Sequence, residues 1–134
     1  MDLTVGPNFF FWPAEAVRGF YSMLADAPVS RVVLGELVCS KRLPFWQGEI
    51  PGAVETLLAA GKTVAITSLA LITLKRERKL TAELADLGLP IEINDLSALA
   101  QVPDGQFCRR AANNKCRCST SSLTARRSGK VARN

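Results

Sequence analysis

A chain of 134 residues with 48% apolar and 22% charged residues has the make-up of one globular domain, which excludes disorder throughout its length. Its apolar runs are broken by Lys62, Thr63, Thr67 and Ser68, short of the roughly 18 consecutive apolar residues of a membrane span. The start Met1-Asp2-Leu3-Thr4 has none of the basic residues of a secretory signal, so the expected location is the cytoplasm.

The net charge of +5 is unevenly spread. Residues 1–102 hold nine Lys and Arg against eleven Asp and Glu, whereas residues 103–134 hold eight Lys and Arg against the single Asp104. Ser, Thr, Asn, Ala and Gly surround those eight cations, with hardly an apolar residue to bury, so residues 103–134 read as a basic, disordered tail. Residues 1–102 read as the folded part.

In chain order, residues 3–7 form a short strand closed by Gly6-Pro7, followed by the aromatic run from Phe9 to Trp12. Pro13 suits the first turn of a helix, and Val17, Phe20, Tyr21 and Leu24 then recur at helical spacing as far as Asp26. Residues 31–39 are apolar and β-branched enough for a buried parallel strand ending at Cys39. Residues 40–49 read as a long loop, and Pro51 opens a helix stopped by Gly61. Residues 63–69 read as the third strand. A helix from about residue 72 to residue 87 carries Leu74, Leu80, Leu84 and Leu87 on one side and Lys75, Arg76, Arg78 and Lys79 on the other. Gly88 and Pro90 end it before a short fourth strand over residues 91–93.

Strictly alternating strands and helices predict an α/β fold of parallel strands joined by right-handed crossovers. Neither of the usual glycine-rich phosphate-binding loops is present, which favours a barrel over a nucleotide-binding sheet. Four strands are half of an eight-stranded barrel, for which about 250 residues are typical. In both architectures function sits at the C-terminal strand ends. There the sequence collects Pro7 and Asn8; Glu36, Cys39, Ser40, Lys41 and Arg42; Thr67 and Ser68; and Asn94 and Asp95.

The absence of histidine removes the common catalytic triads and most zinc sites. Cysteine is the remaining reactive group, and in a reducing compartment four cysteines read as thiols, ligands or redox groups. Beside Lys41 and Arg42, the Cys39 thiol is placed to form a thiolate, but spacing alone favours its reading as a small apolar residue closing a buried strand. Glu36, Asn94 and Asp95 are the catalytic candidates, although the same residue types also cap helices and tie loops.

The strings Leu3-Thr4-Val5-Gly6-Pro7, Trp12-Pro13-Ala14-Glu15, Gly35-Glu36-Leu37-Val38-Cys39-Ser40-Lys41-Arg42, Thr67-Ser68-Leu69 and Glu92-Ile93-Asn94-Asp95-Leu96-Ser97 resemble the collagenase-like peptidase family, in its branch serving anaerobic ubiquinone biosynthesis. The resemblance covers residues 1 to about 101. It implies the N-terminal half of a TIM-like barrel whose full-length form binds a 4Fe-4S cluster through four cysteines. It also implies a UbiU-like protein as heterodimer partner and oxygen-independent hydroxylation of a ubiquinone precursor. On this resemblance Cys39 is the first cluster ligand, with Lys41 and Arg42 beside the cluster to offset its negative charge.

The family's other three cysteines belong to the later half of the barrel, and Cys108, Cys116 and Cys118 are not their equivalents. The Arg, Ser, Thr and Cys bias that begins after Val102 is that of an altered reading frame, so the expectation is a truncated or frameshifted, inactive chain. Peptidase action, as the wider family's name suggests, finds no catalytic set in the sequence. Nucleic-acid binding through the tail would be nonspecific, because no aromatics interleave its cations. Sequencing the gene across the codons for residues 100–108 checks the frameshift: barrel sequence is expected to continue in another frame.

Overall fold

A computed structural model describes residues 2–102 in full and, as backbone strands, residues 107–109 and 117–118. The described strands are β1 (Thr4–Val5), β2 (Arg31–Leu34), β3 (Thr63–Thr67), β4 (Ile91–Glu92), β5 (Phe107–Arg109) and β6 (Arg117–Cys118). They form one sheet in sequence order. β1 to β5 run parallel and β6 is antiparallel to β5. The helices are α1 (Ala14–Asp26), α2 (Ile50–Ala59), α3 (Lys75–Ala85) and the single turn α4 (Leu96–Leu99). The protein is therefore a mixed α/β protein built on a parallel sheet. Among the described residues no helix is long and apolar enough to cross a membrane.

Pro13 occupies the cap of α1, and the helix then buries Val17, Tyr21 and Leu24, a spacing that puts all three on one face. That face packs with Val32 and Leu34 of β2, Val64 and Ile66 of β3 and Leu57 of α2 in the main core. Strand register places Val32 beside Val64 and Leu34 beside Ile66. By the two-residue alternation of a strand, Val33 and Ala65 face the other way, and they are buried as well. Burial on both faces is why these strands read as unbroken apolar runs. Arg18 joins α1 to the start of α2 by donating twice to the Glu49 carboxylate, at 2.7 and 2.8 Å.

Three differences from the sequence expectation bear on the strand ends and the third helix. β2 ends at Leu34 rather than at Cys39, because Gly35 adopts φ +120°, outside strand geometry. The expected loop at residues 40–49 is wound into two 3-10 segments, Ser40–Phe45 and Gln47–Glu49. In α3 the buried members are Glu77 and Thr81, while Leu74 and Leu87 lie exposed at its ends. Gly61 and Gly88 take positive φ where they were expected to stop helices.

The expected disorder of residues 103–134 falls for the most part outside the described residues. Within that segment, Phe107–Arg109 extends the parallel sheet and Arg117–Cys118 turns back against it.

Gly35 sets the exit from β2 in two ways. Its φ is one that side chains disfavour, and an added Cβ would lie 3.0 Å from Thr67 Cγ2 and 3.1 Å from the Thr67 carbonyl oxygen. Gly35→Ala is expected to destabilise the fold by about 1–3 kcal/mol, through backbone strain and close contact together. Urea unfolding followed by circular dichroism measures the change.

Candidate functional site

Parallel strands send their connections out beyond the carboxyl ends, and the segments leaving β2, β3 and β4 converge there. Their polar groups form a continuous set of backbone ties. After β2, the Glu36 side chain is buried and its Oε1 accepts from the backbone N–H groups of Val38 at 2.8 Å and Cys39 at 3.0 Å. Its Oε2 lies 3.6 Å from Arg42 Nε, an ion pair longer than a hydrogen bond. The Arg42 guanidinium also donates twice to the Phe9 carbonyl, at 3.2 and 3.1 Å, and stands 5.7 Å from the centre of the Phe11 ring. Arg42 thereby ties the segment after β1 to the segment after β2.

Cys39 is a free, half-buried thiol at the cap of the first 3-10 segment, where its carbonyl accepts from the Arg42 backbone N–H at 3.0 Å. Its neighbour Ser40 is buried and donates its hydroxyl to Glu77 Oε1 at 2.8 Å. Lys41 is exposed.

Glu77 is the residue that sequence reasoning passed over. It sits three residues into α3 and its Oε2 accepts from the backbone N–H groups of Thr73 and Leu74, both at 3.0 Å, and from the Thr73 hydroxyl at 3.3 Å. These are donors that a helix start leaves without partners. With Ser40 on the other oxygen, one carboxylate fastens the start of α3 to the residue after Cys39. The accepted hydrogen bonds, led by that from Leu74, lower the Glu77 pKa from 4.5 to about 2. A glutamate three residues into a helix is the available sequence signal. It was masked by the surrounding Lys75, Arg76, Arg78 and Lys79, which mark a solvated face.

Beyond β3 and β4, Asn94 Nδ2 donates to Thr67 Oγ1 at 2.8 Å, to the Ser68 carbonyl at 2.9 Å and to the Glu92 carbonyl at 3.3 Å. Its backbone N–H donates to Ser68 Oγ at 3.0 Å. Asp95 caps α4 through Ser97 N–H at 2.9 Å and holds the β3–α3 segment through Ile72 N–H at 2.7 Å. These two hydrogen bonds, Ser97 first, hold the Asp95 carboxyl below its ordinary pKa. The three catalytic candidates thus lie at the strand ends as expected, and each one is engaged with backbone groups. Glu36 ties its own loop to Cys39, whereas Asn94 and Asp95 bind β3 to β4 and form a separate cluster.

An apolar cleft of about 250 Å³ opens beside Glu36, between the start of α2 and the face of α3. Ile50, Ile66, Leu80 and Leu84 supply much of its wall, with Thr67 and Thr81 among its polar members. The hydrocarbon face expected of the third helix is thus partly spent on lining a cleft.

A 4Fe-4S cluster takes four thiolate ligands. Among the described residues no group of three or more His, Cys, Asp or Glu is gathered in a way that could hold a metal, and Cys39 supplies one thiol. The described residues therefore do not by themselves make a complete cluster site. No family model matches the chain, and no solved structure matches it.

The Glu77 ties carry a pH signature. A carboxyl whose folded pKa is lowered stabilises the fold fully above its unfolded pKa, near 4.5, and ceases to do so as pH falls through its folded pKa, about 2. Unfolding free energy is expected to fall as pH drops through that window. Glu77→Gln should lower stability at neutral pH and flatten the dependence between those values, as measured by urea titrations at a series of pH values.

Proposed function

We propose that the α/β unit described here is the N-terminal half of a TIM-like barrel, with its functional end at the carboxyl ends of the strands. Within that class, the reading we favour is a UbiV-like component of anaerobic ubiquinone biosynthesis, a cytoplasmic protein acting with a UbiU-like partner in oxygen-independent hydroxylation of the ubiquinone ring precursor. Cys39 is, on this reading, one ligand of the 4Fe-4S cluster of the full-length protein, whose other three thiolates belong to the later half of the barrel and are not Cys108, Cys116 or Cys118.

The observation that carries the reading is the setting of Cys39. It lies past the end of a parallel strand with its thiol free and half-buried. Its backbone is pinned on one side by Glu36 Oε1 and on the other by the N–H of Arg42. A metal ligand benefits from a backbone held in place by surrounding hydrogen bonds, because the donor atom then keeps its direction without the ion. Glu77 reinforces this from α3 through Ser40, the next residue. Lys41, exposed at the same strand end, and Arg42, whose charge is shared with Glu36, are the cations that would stand by a cluster that is negative overall. The resemblance of residues 35–42 to the family's cluster-binding segment adds the identity of the ligand.

The test is anaerobic co-expression with a UbiU-like partner, co-purification, and iron and acid-labile sulfide analysis of the complex. The expected result, in a form of the protein that carries the later half of the barrel, is a stable complex in which Cys39→Ser lowers the bound iron while the protein still folds and pairs. Iron content unchanged by Cys39→Ser, or the absence of both partner and iron from the wild-type preparation, overturns the proposal.

A further inference from the structure

Of the twelve large apolar side chains that stand exposed among the described residues, eight lie where the chain leaves the carboxyl ends of β1 to β4. Phe9, Phe10 and Phe11 follow β1 and Phe45 follows β2; they are 53%, 68%, 57% and 64% exposed. Val38, Leu71, Leu74 and Leu96 complete the set along the other exits. Apolar side chains scattered singly over a surface are ordinary, whereas a gathered patch marks a place of contact.

The segments that carry these side chains are tied to one another. Phe11 meets Phe45 edge to face, with ring centres 5.2 Å apart, and Arg42 holds the Phe9 carbonyl. The Ala70 N–H donates to the Leu37 carbonyl at 2.8 Å, which joins the segment of Leu71 to that of Val38. Asp95 accepts from Ile72 and so joins the segment of Leu96 to that of Leu71. The aromatic run is also held locally. Asn8 Oδ1 accepts from the Phe10 N–H at 2.9 Å, and Asn8 Nδ2 donates to the Phe10 carbonyl at 3.0 Å. At the far end Trp12 packs edge to face on Phe20 of α1, with ring centres 5.4 Å apart. Phe9, Phe10 and Phe11 are therefore displayed on a loop braced at both ends.

Most of the charge shown outward at this end has one sign. The carboxylates of the strand exits are already engaged, Glu36 and Asp95 by backbone N–H groups and Glu49 by Arg18. Glu77 is buried on Ser40 and on the start of its own helix. Glu15, in the first turn of α1, is the exposed exception, whereas Lys41, Lys75 and Arg76 all stand exposed. Hydrocarbon and positive charge thus face outward together. An anionic bilayer accommodates both, because phenyl and leucyl groups enter the boundary between headgroups and acyl chains while Lys and Arg stay with the lipid phosphates. A protein partner would have to match four separate segments in shape, and lysine is depleted from such interfaces. A fluid lipid surface needs no such match.

We propose that the carboxyl end of the sheet docks on an anionic membrane, with Phe9, Phe10, Phe11 and Phe45 inserting and Leu71 and Leu96 beside them. The chain rests on the bilayer and does not cross it. This docking does not depend on the role of Cys39.

The test sediments the full chain with vesicles of phosphatidylcholine alone or of phosphatidylcholine mixed with phosphatidylglycerol. Binding to the mixed vesicles is expected to weaken about tenfold or more when Phe10→Ala is combined with Leu71→Ala, given the hydrocarbon withdrawn from the lipid. Leu58→Ala, at an exposed leucine of α2, should leave it unchanged. The cations of residues 103–134 are present in every variant, so attraction through them cannot produce that difference. Lipids brominated in the acyl chain read insertion directly: the indole introduced by Phe10→Trp should be quenched and that introduced by Leu58→Trp should not. Quenching decides the matter if circular dichroism shows the double variant to be unfolded. Absence of vesicle binding overturns the proposal, as do equal sedimentation of the double variant and Leu58→Ala, or equal quenching at positions 10 and 58. Loss of a UbiU-like partner from the double variant with vesicle binding intact overturns it too, in favour of a protein interface. Vesicle binding is read without partner or iron, so its failure is distinct from failure of the cluster reading.

Discussion

Parallel strands cannot be joined by a tight turn, and the pairing of β2 with β3 therefore forces the chain out of the sheet after Leu34 and back in at Thr63. Everything else in the molecule follows from that detour. The chain between the two strands must cross one face, and it does so as α2, packed with α1 over Val32, Leu34, Val64 and Ile66. It must also leave from the carboxyl end of β2, so that Glu36, Cys39 and Ser40 are set down together beyond the strand. The same constraint acts between β3 and β4 and delivers Ser68, Asn94 and Asp95 to that end.

Segments that leave a sheet carry backbone N–H groups with no strand partner, and burying them without acceptors is costly. The protein answers with carboxylates. Glu36 takes the N–H groups of Val38 and Cys39, Glu77 takes those of Thr73 and Leu74, and Asp95 takes those of Ile72 and Ser97. Glu36 and Glu77 are tied into neighbouring segments as well, through Arg42 and Ser40. The result is a rigid strand-end surface on which Cys39 is the free thiol whose surroundings are described. Accepting several backbone hydrogen bonds stabilises the ionised form of Glu77 and Asp95.

The helical segments show how far a sequence pattern can carry. α1 was legible because Pro13 and the spacing of Val17, Tyr21 and Leu24 are local signals and the partner face of the sheet is apolar. α3 was legible as a helix, and its inward face was anticipated in part: Leu80 and Leu84 do turn inward, but Glu77 and Thr81 are the buried members. Four leucines marked an apolar side, but the interior beneath the start of the helix holds Ser40, so a glutamate is buried there and Leu74 is left exposed. Which side of an amphipathic helix turns inward depends on what lies below it, and that is a property of another segment 37 residues away.

The sequence by itself determined the alternation of strand and helix, the parallel sheet, the helix stops at Gly61 and Gly88 and the gathering of polar residues after each strand. Those features rest on periodicity, on backbone preferences of glycine and proline, and on the both-sided burial of β2 and β3. Tertiary structure alone decided that β2 stops at Leu34, where Gly35 takes φ +120° and the close approach of Thr67 would leave a Cβ only tight contacts of 3.0–3.2 Å. It decided that the Asn94 amide is tied to the end of β3, because the Thr67 hydroxyl and the Ser68 carbonyl stand within reach of it. It also decided that Phe107–Arg109 and Arg117–Cys118 are neighbours. Their composition speaks for solvent, and only the register of β4 with β5 and of β5 with β6 brings two short basic segments together at the end of a sheet.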